Sequence, residues 1–175
     1  MKRFTVFFHY CLFCLPFLGA AASSNDLIVK FCRENMGKQV GNGQCTALAK
    51  YALEAARARP RQKNSDYPSG GWGRLVLFLE VTERGPMETG SRREIKLGYI
   101  IQFRDAKMKG KKASGRGYYT MGFKQHTAVV SEVQYRGRVV KVYHQNTNGQ
   151  KLVVEHSLNL DDLKTGWMRF YRAVE

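Results

Sequence analysis

The sequence predicts an α+β fold, with helices in the first third and a mainly antiparallel β-sheet after them. Three observations predict it. Apolar residues recur at helical spacing in two early segments, and short β-rich runs fill the rest of the chain. Between the later runs, Arg136-Gly137 and Asn148-Gly149 mark tight turns that join antiparallel neighbours and leave no room for crossover helices.

The elements follow in order. Met1-Lys2-Arg3 is a basic start, Phe4 to Leu18 is apolar, and Ala20-Ala21-Ala22 supplies small residues, so 1–22 predicts a signal peptide cleaved after Ala22. That leaves 23–175 as one domain, and no later segment is apolar enough to span a bilayer. Leu27 to Met36 predicts a short helix with Leu27, Ile28 and Phe31 on one side, stopped by Gly37. Thr46 to Arg59 predicts the strongest helix, with Leu48, Tyr51, Ala52, Ala55 and Ala56 on its apolar face and Pro60 limiting its end. Leu75 to Val81 and Ile95 to Phe103 predict strands joined by a charged loop containing Gly85-Pro86. Lys107 to Gly117 reads as a mobile basic insertion. His126 to Val133, Arg138 to Gln145, Lys151 to His156 and Trp167 to Tyr171 predict the remaining strands.

The formal net charge is +15, concentrated in Arg57 to Lys63, Arg92-Arg93 and Arg104 to Arg116. A field this positive favours polyanionic partners. Aromatics are not interleaved with these charges as single-strand binders require, so no specific nucleic-acid partner is expected. Cleavage of the leader removes Cys11 and Cys14. Cys32 and Cys45 then remain, either paired as a disulfide or as a buried thiol beside a reactive one.

Cys45 carries the chemistry. It stands in Val40-Gly41-Asn42-Gly43-Gln44-Cys45-Thr46, at the mouth of the strongest predicted helix, where unpaired backbone N–H groups and the dipole favour thiolate. Downstream, His126 opens a strand and His144-Gln145-Asn146 closes another. The chain order is therefore nucleophile, base, polar orienter. His126 and His144 are 18 residues apart, a spacing that suits adjacent antiparallel strands if the register allows it. His156 has no such context and reads as a surface residue. Beyond the leader, with three histidines and no CxxC or HExxH spacing, neither a metal nor a cofactor is expected.

Gly43-Gln44-Cys45-Thr46 and its Ala-rich helix resemble the nucleophile motif of CHAP amidase/peptidase domains, relatives of NlpC/P60 and papain-like hydrolases. His126-Thr127-Ala128-Val129-Val130 is similar to that family's His-initiated strand, and His144-Gln145-Asn146 falls where many members carry Glu-x-Asn. The resemblance covers about Gly37 to Tyr171. It implies a papain-like α+β fold with Cys45 as nucleophile, His126 as general base, and His144 or Asn146 as the third group. It also implies Gln39 and Gln44 on the oxyanion or substrate side, beside the Cys45 N–H.

The expectation that results is an exported bacterial cysteine hydrolase, monomeric, secreted or held in the periplasm or cell envelope. It would cut amide bonds in the peptide part of peptidoglycan while its charge holds an anionic wall polymer. Two alternatives keep the fold: an inactive wall-binding module, and an exported effector thiol hydrolase with a non-wall substrate.

Overall fold

The computed structural model describes residues 22–58, 71–112 and 115–173. Helix α1, Ser24–Glu34, begins three residues earlier than its apolar pattern suggests. The Ser23 hydroxyl accepts from the Asp26 N–H, and the Asp26 carboxylate accepts from the Ser23 N–H, a capping box that satisfies two orphan donors. Helix α2, Cys45–Ala55, stops before Arg59, because Arg57 adopts φ 54° and the Ala58 N–H closes back onto Leu53 O. Pro60, expected to limit it, lies outside the described residues.

Seven strands form one sheet: β1 Arg74–Thr82, β2 Gly85–Gly90, β3 Ile100–Lys111, β4 Tyr118–Gln134, β5 Val139–His144, β6 Val154–Asn159 and β7 Leu163–Arg172. Their order across the sheet is β2-β1-β7-β3-β4-β5-β6 and every pairing is antiparallel. The fold is thus α+β, with the sheet far outweighing its two helices. The expected loop after Val81 is instead a hairpin into β2. The supposed mobile insertion is mostly strand, since Lys107 to Lys111 pair with Gly122 to Tyr118. Asn148-Gly149 does turn the chain, with φ of 51° and 79° and paired backbone bonds between Thr147 and Gln150.

Two cores flank the sheet. On one face α1 and α2 bury Ile28, Cys32, Leu48, Ala52 and Leu53 against Ile100 of β3, Val129 of β4 and Tyr143 of β5. The small Ala49 and Ala52 let α2 lie close to β4. On the other face, Leu77 and Leu79, Ile101 and Phe103, Ala128 and Val130, Val140 and Val142, Leu158, and Met168 and Phe170 form a second cluster. Strands from both ends of the sheet contribute to it, so the sheet curls around this second core. The alternation between these cores fixes which way every side chain near Cys45 points.

Candidate functional site

Cys45 opens α2 beneath a tightly held loop. The Gln145 side chain bridges that loop. Its Oε1 accepts from the Val40 N–H at 3.1 Å, and its Nε2 donates to Val40 O at 2.9 Å and Gln44 O at 2.7 Å. Asn146, at φ 59°, adds a bond from Nδ2 to Gln44 Oε1 at 2.9 Å. Gly41 and Gly43 take positive φ, and a Cβ on Gly43 would lie 2.8 Å from the Lys151 side chain, so the approach to Cys45 requires glycine. Gln39 is exposed, its Nε2 bonded to Gly41 O at 3.2 Å.

The sulfur of Cys45 faces Thr127. Hydrogen bonds from the Thr127 backbone and hydroxyl and from the backbone of Thr46 and Cys45 lower its pKa, but burial outweighs them and holds the thiol above its usual range. Cys45 is 9% exposed and unpaired. Cys32 is a separate free thiol on α1, pushed up to about 12 by burial. The cysteines therefore do not form a disulfide. The thiolate expected from the helix mouth is disfavoured, because desolvation of a charged sulfur costs more than the surrounding donors return.

The imidazoles lie elsewhere. The register pairs Ile100 with Val129, Gln102 with Thr127, and Phe103 with His126. Val129 belongs to the helix-facing core and Ala128 to the other, so Thr127 points toward α2 while His126 points away from it. The His126 ring stacks on Phe123 at 5.0 Å and lies 5.9 Å from Phe103. On β5, Tyr143 faces the helices, as does Gln145 just beyond its end, whereas His144 shares the far face with Val142. His126 Nε2 and His144 Nδ1 are 2.9 Å apart, and His144 Nε2 lies 2.6 Å from Nδ1 of His156 on β6. One tautomer throughout, with each Nε2–H donating to the next Nδ1, satisfies both contacts; so does its mirror image. Burial lowers the His126 pKa to about 4. Burial, with repulsion from His126 and His156, lowers that of His144 to about 3.

The structure therefore brings His126 and His144 together but on the sheet face opposite Cys45. Asn146, Gln44 and Gln39 gather in the loop before Cys45, and there the first two bond each other. Sequence reasoning missed Thr127, Gln145 and His156. Gln145 stood inside the quoted motif, and period-two alternation from His144 was its only signal. His156, read as a surface residue, is half-buried and ends the imidazole chain. Among the described residues no group of three or more His, Cys, Asp and Glu side chains is arranged to hold a metal, and no helix is long and apolar enough to cross a membrane.

A two-helix layer on an antiparallel sheet, with a cysteine at the mouth of the helix against its centre, is the arrangement of a cysteine proteinase fold. Residues 19–175 match a family model described as the AIM3/BBC1 cysteine proteinase-fold domain, and the chain belongs to that family. Altered inheritance of mitochondria protein 3 of Debaryomyces hansenii is 26% identical over 152 residues, which cover 85% of this chain and 16% of the relative. The chain thus spans about a sixth of that relative's length. No solved structure matches it.

This membership corrects the functional expectations. The family model supports the papain-like, cysteine proteinase fold, though it is that of AIM3/BBC1 and not specifically CHAP or NlpC/P60; the relative is a yeast protein, whereas peptidoglycan is a bacterial polymer. Peptidoglycan as substrate and an anionic wall polymer as partner are overturned, and the bacterial source that rested on them is withdrawn. The wall-binding and exported-effector alternatives fall with them. The secreted or envelope location is withdrawn on the same finding; residues 1–21, which carried it, lie outside those described.

Proposed function

We propose that this chain is a non-hydrolytic member of the cysteine proteinase fold, a binding module that keeps the nucleophile position without a base to activate it. The observation that carries this reading is the hydroxyl-bearing Thr127 at the Cys45 sulfur, where thiol chemistry needs an imidazole. A Thr hydroxyl cannot accept the thiol proton near neutral pH, and burial favours the protonated sulfur. The imidazoles that would serve are paired with one another across the sheet, their proton affinity lowered by burial. Gln145, which spans the loop through three hydrogen bonds, is a structural tie.

The yeast relative is named for altered inheritance of mitochondria. On this reading the domain would serve such a protein by docking, and not by cutting. The test is mass spectrometry of a denatured-protein peptide digest incubated with the reduced chain or with its Cys45→Ala variant. Identical peptide profiles are expected. New fragments from the wild type alone would overturn the reading.

A further inference from the structure

The β3–β4 hairpin carries an unpaired strand edge beside a row of cations. Strand β4 runs from Tyr118 to Gln134, but β5 pairs only with Val129 to Gln134. Over Tyr118 to Gln125, its side away from β3 has no partner strand among the described residues. Exposed edges of this length template the addition of another extended chain.

The two faces of this edge differ. Lys107, Lys109 and Lys111 are exposed on one face, opposite Gly122, Thr120 and Tyr118 of β4. Lys124 is exposed further along β4. Alternate residues on a strand repeat at roughly 6.8 Å, so the three lysines form an evenly spaced row. Among the described residues none of these four lysines takes part in an ion pair; the six ion pairs there use other cations. A Cβ on Gly122 would meet nothing within 4 Å, so long lysine stems can lean across β4 toward its free edge. The other face presents Tyr119 and Met121, partly buried on the second core, and Phe123 within it.

We infer that the free edge of β4 from Tyr118 to Gln125 takes up an extended acidic peptide as an eighth strand. Its backbone pairs with β4. Alternate carboxylates lie on the side of Lys107, Lys109, Lys111 and Lys124, and the intervening apolar side chains meet Tyr119 and Met121. A strand partner is favoured over a membrane surface because the lysines flank an open backbone ladder. A bilayer would leave that ladder unsatisfied. This inference rests on the chain being a binding module, but not on the state of Cys45.

The test uses the full chain and a fluorescent octapeptide of alternating glutamate and valine, with binding read by anisotropy. Saturable binding is expected, weakening as salt rises. Two N-methylated versions, blocking one or the other alternate set of peptide N–H groups, separate edge pairing from loose attraction. One is expected to lose binding and the other to keep it. Lys109→Glu with Lys124→Glu is expected to weaken binding roughly tenfold or more. No saturable binding overturns the inference, and so does equal binding of both methylated peptides. Binding to phosphatidylserine vesicles without peptide binding overturns it in favour of a membrane. The methylation series needs only the wild type, so a variant that fails to fold does not blunt the test. Cleavage of the bound peptide, read by mass, would sink the non-hydrolytic reading while leaving the edge site standing.

Discussion

The hydroxyl and backbone of Thr127 hydrogen-bond the sulfur of Cys45, a contact between β4 and the first residue of α2. His126 stands one residue before Thr127, and on a strand one residue is a change of face. On the non-hydrolytic reading, that step is what leaves the thiol without a base.

Reactivity at Cys45 follows from it. Replacement of His126 by Ala is expected to leave the iodoacetamide alkylation rate of Cys45 within about twofold of wild type, since the ring does not face the sulfur. Thr127→His sets an imidazole at the thiol and is expected to raise that rate roughly tenfold at neutral pH. Both are measured by mass-spectrometric kinetics of the digested peptide that carries Cys45. A collapse of the rate on loss of His126 would contradict the assignment of faces.

The paired imidazoles set a pH dependence. Both stay neutral in the folded chain, with values near 4 and near 3, while in the unfolded chain they titrate near 6.5. The unfolded state then binds more protons as pH falls, so stability is full above pH 6.5 and declines from there toward pH 4. For His126 alone the loss between pH 7 and pH 5 is about 2 kcal/mol. Urea unfolding midpoints at pH 7, 6 and 5 measure it, and His126→Phe is expected to flatten the slope. A wild type equally stable across that range would remove the neutral pair.

The legibility of the chain has a physical pattern. Both helices could be read because their apolar stripes are periodic, and Asn148-Gly149 because its left-handed backbone needs those residue types. The Cys45 loop could be read from Gly41 and Gly43. The face of His126 could not. Ala128, Val129 and Val130 are all apolar because both sheet faces are buried there, so no alternation marks which parity points at α2. The long hairpin was hidden for the opposite reason: Lys107 to Lys111 alternate with Met108 and Gly110, a half-exposed strand whose charge reads as loop. The His126–His144 pairing was legible as an 18-residue spacing, but its side of the sheet was not.

Gln145 offers a test of what holds the loop. It satisfies the Val40 N–H and two carbonyls in a place closed to solvent. Gln145→Ala leaves the buried Val40 N–H unpaired, while Val40 O and Gln44 O keep their bonds from the Gly43 and Ala47 N–H groups, and is expected to cost about 2 kcal/mol in chemical denaturation. Gln145→Glu keeps the acceptor but loses both donated bonds, and is expected to destabilise comparably. A loss under about 0.5 kcal/mol for both would mean that the loop is held by other contacts.

Two glycines with nearly the same backbone separate conformational strain from crowding. Gly98 takes φ 78° and Gly149 φ 79°. A Cβ on Gly98 would lie 2.8 Å from both Cα and O of Asn25 on α1, whereas one on Gly149 meets nothing within 4 Å. Gly149→Ala therefore carries only the left-handed conformational cost, about 1 kcal/mol. Gly98→Ala carries that cost and must also move the backbone of α1, which adds about 1–3 kcal/mol of overpacking. The two variants, compared by urea denaturation, are expected to differ by at least about 1 kcal/mol, with the Gly98 variant the weaker. Equal losses would mean that α1 does not press on Gly98, and the close seating of its first turn beside the sheet would have to be abandoned.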